Sequence, residues 1–217
     1  YSHSIEGLNG IFTARLWTTI RAENVQQRAN NDYLAGLLQK VLEIHNKFPD
    51  PQEATPDVVK LLELEKQPLQ WFQDDKTLTG TVVVDDLQND KLQSIKNAII
   101  DSKKSGNNLR VGIITKDGTI SPEMKAKFDS NDISEDNITI YSVNNVQGSE
   151  VDFVIFDAEI INEYTFLRDK LRALYTFTSR ARSGVIIIDK ELKTKHAGLI
   201  ESTFGITQAD KARYSRK

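Results

Sequence analysis

A mostly parallel sheet with helices on both faces, an α/β fold, is what this sequence predicts. Two observations carry that expectation. Short, near-continuous apolar runs recur along the chain, among them TVVV (81–84), VGIIT (111–115), VDFVIFD (151–157) and VIIID (185–189). Runs of this kind suit strands that are buried on both faces. Between them lie stretches with apolar residues every three or four positions, the helical spacing. Strands alternating with helices in this way build a parallel sheet with two helical layers.

The chain has 217 residues, enough for one large domain or one domain with an appendage. Its 28 basic and 31 acidic side chains leave a net charge of -3, so any contact with nucleic acid must come from a local patch. There is no cysteine, hence no disulfide and no thiolate metal site, which fits a cytoplasmic protein. No apolar run approaches the roughly 20 residues that span a bilayer, so no membrane partner is expected. No signal peptide is visible. The chain opens on Tyr1, which points to a piece of a longer protein.

Residues 1–10 read as a flexible lead and residues 206–217 as a flexible, basic tail, with the domain proper over 11–205. A short strand is expected at 14–18, just before Arg21. A helix follows over 22–47, with Val25, Ala29, Tyr33, Leu37, Val41 and Ile44 as its apolar stripe and Leu34, Leu38 and Leu42 widening it. Pro49 and Pro51 stop it. Thr55-Pro56-Asp57 opens a second helix. The helical part over 22–68 is either a small insertion or part of the main layer. Runs at 69–72 and 79–84 could pair as a hairpin. A helix over 87–104 ends in Lys103-Lys104-Ser105-Gly106, and Asp85-Asp86 could cap its start. Strands are expected at 109–115, 138–143, 151–156 and 185–188, a short helix from Ser121-Pro122-Glu123, and a last helix near Leu192–Ile200.

Ligands of parallel sheets sit outside the carboxyl ends of the strands. The loops 116–118 and 144–150, and the segment after Phe156, leave strands in that direction. Gln147-Gly148-Ser149-Glu150 combines a glycine for close backbone approach with a carboxylate able to accept from a sugar hydroxyl. Arg168, Arg172, Arg180 and Arg182 lie on or just beyond one predicted helix, and a guanidinium at its end, at Arg180 or Arg182, could hold phosphate. On spacing alone, a polar strand connection and solvated ion pairs are the better account of both features. His3, His45 and His196 lack metal-ligand spacing, and no metal site is expected. No G-x-x-x-x-G-K-[ST] run is present, so the chain has no phosphate-cradling P-loop of its own.

Taken together, four segments resemble a family. VQGSEVDFVIFD resembles motif V of the superfamily 1 helicases, and LRALYTFTSRAR resembles their motif VI. VGIIT and the loop after it are similar to motif IV of some branches. LWTTIRAEN is similar to the arginine-bearing segment that leads into the second motor domain. The four stand in the family's order over residues 16–189. The chain departs from the usual pattern at Ser142, Asn144-Asn145, Ser179 and Ile20.

The resemblance implies a second RecA-like motor domain, a P-loop-NTPase-like fold lacking its own P-loop. It implies that ATP with Mg is held mainly by a first RecA-like domain earlier in the same parent chain. Arg21 and Arg180 would be catalytic arginine fingers. Glu150 would accept from the ribose, with Gln147 and Gly148 lining the nucleotide side. Thr115, Lys116, Ser142 and Asn144 would contact single-stranded DNA or RNA. By itself the chain would be inactive. A degenerate RecA-like binding or docking scaffold without turnover is the alternative.

Overall fold

The computed structural model describes residues 25–47, 80–84, 86–87, 90–165 and 167–190. Five strands form one sheet: β1 (Gly80–Val84), β2 (Val111–Thr115), β3 (Ile138–Ser142), β4 (Val151–Asp157) and β5 (Ala181–Ile188). Their order is β1-β5-β4-β2-β3, and every pair is parallel. The helices are α1 (Val25–Lys47), α2 (Asp90–Lys104), α3 (Pro122–Lys127), α4 (Glu159–Asn162) and α5 (Leu167–Thr178).

Alternation along the strands splits the apolar residues between two cores, as the period of two requires. On one face Val83, Ile114, Val154, Phe156, Val185 and Ile187 pack under α1, α4 and α5. On the other Val82, Val84, Ile113, Phe153, Ile155 and Ile186 pack under Leu92, Ile95 and Ile99 of α2 and Met124 of α3. Burial on both faces is the reason these strands read as unbroken apolar runs. The exception is β3, an edge strand with no fully buried residue and with Ile140 exposed.

Several element bounds differ from the sequence reading. The strand leading out of the arginine cluster starts at Ala181 and not at residue 185, so Arg182 lies within β5. The second helix starts at Asp90, three residues later than periodicity puts it, which leaves Asp86 outside its first turn. The start of α3 follows its local chemistry: Ser121 Oγ accepts from Met124 N at 3.1 Å, with Pro122 in the first turn. Among the α1 side chains described, Gln27, Asn31, Leu34, Ala35, Leu38 and Leu42 are buried, whereas Ala29 is exposed. The expected strands at 14–18 and 69–72, the hairpin, the helices after residues 55 and 191, Arg21 and both termini lie outside the described residues.

Gly112 in β2 is fixed by close packing. A Cβ there would stand 2.9 Å from Tyr141 Cε2 and 3.2 Å from Val151 Cγ2. Its absence lets β3 and the start of β4 close over β2.

Candidate functional site

The connection from β3 to β4 decides where the candidate residues fall. It carries no helix, and it must run from the carboxyl end of one strand to the amino end of a parallel strand. The five-residue strand β3 is about 16 Å tall at roughly 3.3 Å per residue. Residues 143–150 therefore descend the sheet. Val146 is buried and pins the middle of the loop to the core. Ser149 N then donates to Val146 O at 3.3 Å, closing a turn in which Gly148 takes φ +86°, a conformation open chiefly to glycine.

The sequence reading directed the whole 144–150 loop to the carboxyl ends of the strands. The structure corrects this. Glu150 immediately precedes β4 and Arg180 immediately precedes β5, so both lie at the amino ends. Val151 N donates to Arg180 O at 3.0 Å, which holds the two positions side by side. Arg182 Nε donates to Glu150 Oε1 at 3.0 Å. Next to them Asp152 Oδ2 accepts from Arg110 N at 2.8 Å. Arg180 is half-buried, and its Nε and Nη2 both donate to Ser179 Oγ, at 3.2 and 2.9 Å. The Ser179 hydroxyl donates in turn to Thr176 O at 3.0 Å. The guanidinium is thus held against the last turn of α5 and does not fan freely into solvent.

The other candidates gather at the opposite end. Thr115 and Ser142 close β2 and β3 in register. Val143 N donates to Thr115 O at 3.0 Å, and Gly118 N donates to Thr115 Oγ1 at 2.9 Å. Asn145 Oδ1 accepts from Ser142 N at 2.8 Å. Lys116 is exposed and pairs with Glu163 at 3.2 Å, and Asn144, in the loop after β3, is exposed too. These groups offer hydroxyl, amide and ammonium donors, the set that contacts phosphate and sugar.

Between the two ends runs an open groove of about 330 Å³, lined by Asn144 and Gln147 on one side and by Asp169, Arg172 and Thr176 of α5 on the other. Arg172 is exposed on the same helix whose C-terminus carries Arg180. Arg168 instead pairs with its neighbour Asp169 at 3.4 Å. Sequence reading named Arg172 and Gln147 but had no means of seeing that they share a groove.

A second cavity, of about 210 Å³, lies at the carboxyl ends of β2, β4 and β5, with Ile113, Ile114, Met124 and Phe156 as walls and Asp157 and Lys190 at its rim. Burial pushes the Asp157 carboxyl above its ordinary value, against the hydrogen bond from Glu159 N and the Lys190 ammonium 3.9 Å away. A carboxylate whose folded-state value is raised costs stability once pH exceeds the ordinary range near 4, and costs none below it. Asp157→Asn is therefore expected to raise the melting midpoint at neutral pH. The gain should shrink to nothing as pH falls below about 4, where both states are protonated. Thermal melts of the two proteins from pH 3 to 8 check this. A gain that grows on acidification would contradict it.

Among the described residues no group of three His, Asp or Glu side chains could hold a metal ion. Among them, too, no helix is long and apolar enough to cross a membrane.

Residues 137–188 match a family model described as the UvrD-like helicase C-terminal domain. No curated protein matches the chain significantly. The matched segment begins just before β3 and ends with β5. It holds Ser142, Asn144, Gln147, Gly148, Glu150 and Arg180, whereas Arg21, Thr115 and Lys116 precede it. With that match resting on a five-stranded, all-parallel sheet covered on both faces, the chain has an α/β, RecA-like fold that carries, over residues 137–188, a segment of the UvrD-like helicase C-terminal domain.

Proposed function

We propose that the chain is the second motor half of an ATP-dependent helicase or translocase acting on single-stranded DNA or RNA. Its first RecA-like partner domain, in the same parent protein, holds ATP and Mg. When bound there, magnesium would supply positive charge against the phosphate charge. This chain closes the cleft from the other side. Arg180, joined by Arg21, places a guanidinium where charge builds on the γ-phosphoryl oxygens. Glu150 accepts from the ribose, and Gln147 and Gly148 line the approach. Thr115, Lys116, Ser142 and Asn144 contact the single strand at the far end of the sheet. The setting is cytoplasmic, as the cysteine-free composition suggests.

One observation carries this reading best: Glu150 and Arg180 stand side by side at the amino ends of β4 and β5, joined through Val151 N and Arg180 O. A scaffold has no need of an arginine held by two hydrogen bonds beside a carboxylate, whereas phosphoryl transfer needs a fixed cation beside a ribose acceptor.

ATP turnover by the full-length protein should depend on single-stranded nucleic acid and fall steeply with salt. Glu150→Gln should raise KM for ATP about tenfold, the value of one hydrogen bond to a charged group, and spare kcat. This chain alone should turn over no ATP. Contaminant-free turnover by the chain alone, or an unchanged KM in Glu150→Gln, would contradict the proposal.

A further inference from the structure

A buried polar cluster lies directly behind the turn that carries Arg180. Gln27 and Asn31 of α1, Thr81 of β1 and Thr178 at the end of α5 are all essentially inaccessible. Thr81 Oγ1 donates to Gln27 Oε1 at 2.8 Å. Gln27 Nε2 donates to Asn31 Oδ1 at 3.1 Å and to the Thr178 carbonyl at 3.4 Å. Thr178 is two residues before Arg180, and its own hydroxyl donates back to Leu174 O at 2.9 Å. Among the described residues Asn31 Nδ2 has no partner.

Burying four polar side chains costs stability unless their bonds are made, and an apolar set would pack here at no such cost. The cluster does something an apolar set cannot: it fixes distance and angle between three elements through one amide. Gln27 donates from α1 to the last carbonyl of α5, that of Thr178, and is itself held by Thr81 of β1. In sequence α1 begins four residues after Arg21.

We infer that Gln27 is a positioning residue, which sets the turn bearing Arg180 against α1 and so holds that guanidinium where it meets the phosphoryl group. The inference rests on the proposed role of Arg180. It adds to it a residue that touches no nucleotide and acts through the Thr178 carbonyl.

The test uses the full-length protein with ATP and single-stranded DNA. Gln27→Met keeps the volume and removes both polar atoms. It should lower kcat about 10²-fold, as a misplaced reacting group does, with KM for ATP unchanged. Thr81→Val is close in shape and removes only the bond that holds Gln27 Oε1. It should lower kcat by a smaller factor, and Thr81→Ser, which restores the hydroxyl, should recover it. All are assayed well below their melting midpoints. A purely structural role would shift those midpoints and leave kcat alone, and that outcome overturns the inference. So does native kcat in folded Gln27→Met. Arg180→Ala, run alongside, separates the two levels. If it abolishes turnover while Gln27→Met does not, only the positioning role falls. If Arg180→Ala itself is active, the arginine-finger reading falls first.

Discussion

Arg180→Ala in the full-length protein is expected to cut ATP turnover about 10³–10⁵-fold, the range that arginine fingers supply in phosphoryl transfer. In the role proposed for Arg180 the effect is large because the charge to be stabilised develops only in the transition state. For the same reason KM for ATP should change little. Arg180→Lys should recover only a small part of the loss. A lysine cannot reproduce the forked donor set, and it cannot keep the paired bonds to Ser179 Oγ that hold the group in place. Stability should change far less than turnover, since the side chain is only half-buried. The measurements are kcat, KM and a thermal melt on the same preparation. Turnover within tenfold of the native rate would end the catalytic role, whatever the melt shows.

The fold was legible in the sequence where one physical effect dominated. Strands buried on both faces leave unbroken apolar runs, and β2, β4 and β5 lie where those runs are. Where two effects compete, the pattern misleads. The apolar stripe of α1 put Ala29 inward, yet the buried face runs through Gln27 and Asn31, which hydropathy counts as solvent-facing. Only tertiary partners such as Thr81 make those amides tolerable inside, and a single sequence does not show partners 54 residues away. For the candidate residues, local motifs supply names but not an arrangement. Glu150, Arg180, Thr115 and Ser142 could each be named from local motifs. Their division between the two ends of the sheet depends on the path of residues 143–150, and general rules for parallel sheets gave the wrong end for Glu150. A connection with helical periodicity would have announced a crossover. This one has none, and the descent is visible only once β3 and β4 are known to be parallel and separated by β2.

Phe156→Ala is expected to lower stability by about 3–5 kcal/mol, the cost of emptying a well-packed aromatic site. Phe156 is 1% exposed near the carboxyl end of β4, and its ring meets Phe177 of α5 edge to face, with centroids 5.4 Å apart at 67°. Such a pair adds about 0.5–1.5 kcal/mol beyond buried area. The ring also walls the cavity at the carboxyl ends of the strands, so the new void would open into one already there and would not collapse. That argues for the upper part of the range. Against a typical total of about 5–15 kcal/mol the loss is severe, and it should lower the melting midpoint by roughly 6–20 °C. Urea titrations should show a lower midpoint at an unchanged slope. A loss under about 1 kcal/mol would mean that α5 is not packed on β4 as described. The variant also probes the site from below. Phe177 O accepts from Arg180 N at 3.2 Å, so the Phe156–Phe177 contact is the floor on which the Arg180 turn rests. Well below its melting midpoint, Phe156→Ala should therefore lower kcat as well, but by far less than Arg180→Ala, because the guanidinium remains and only its support has loosened.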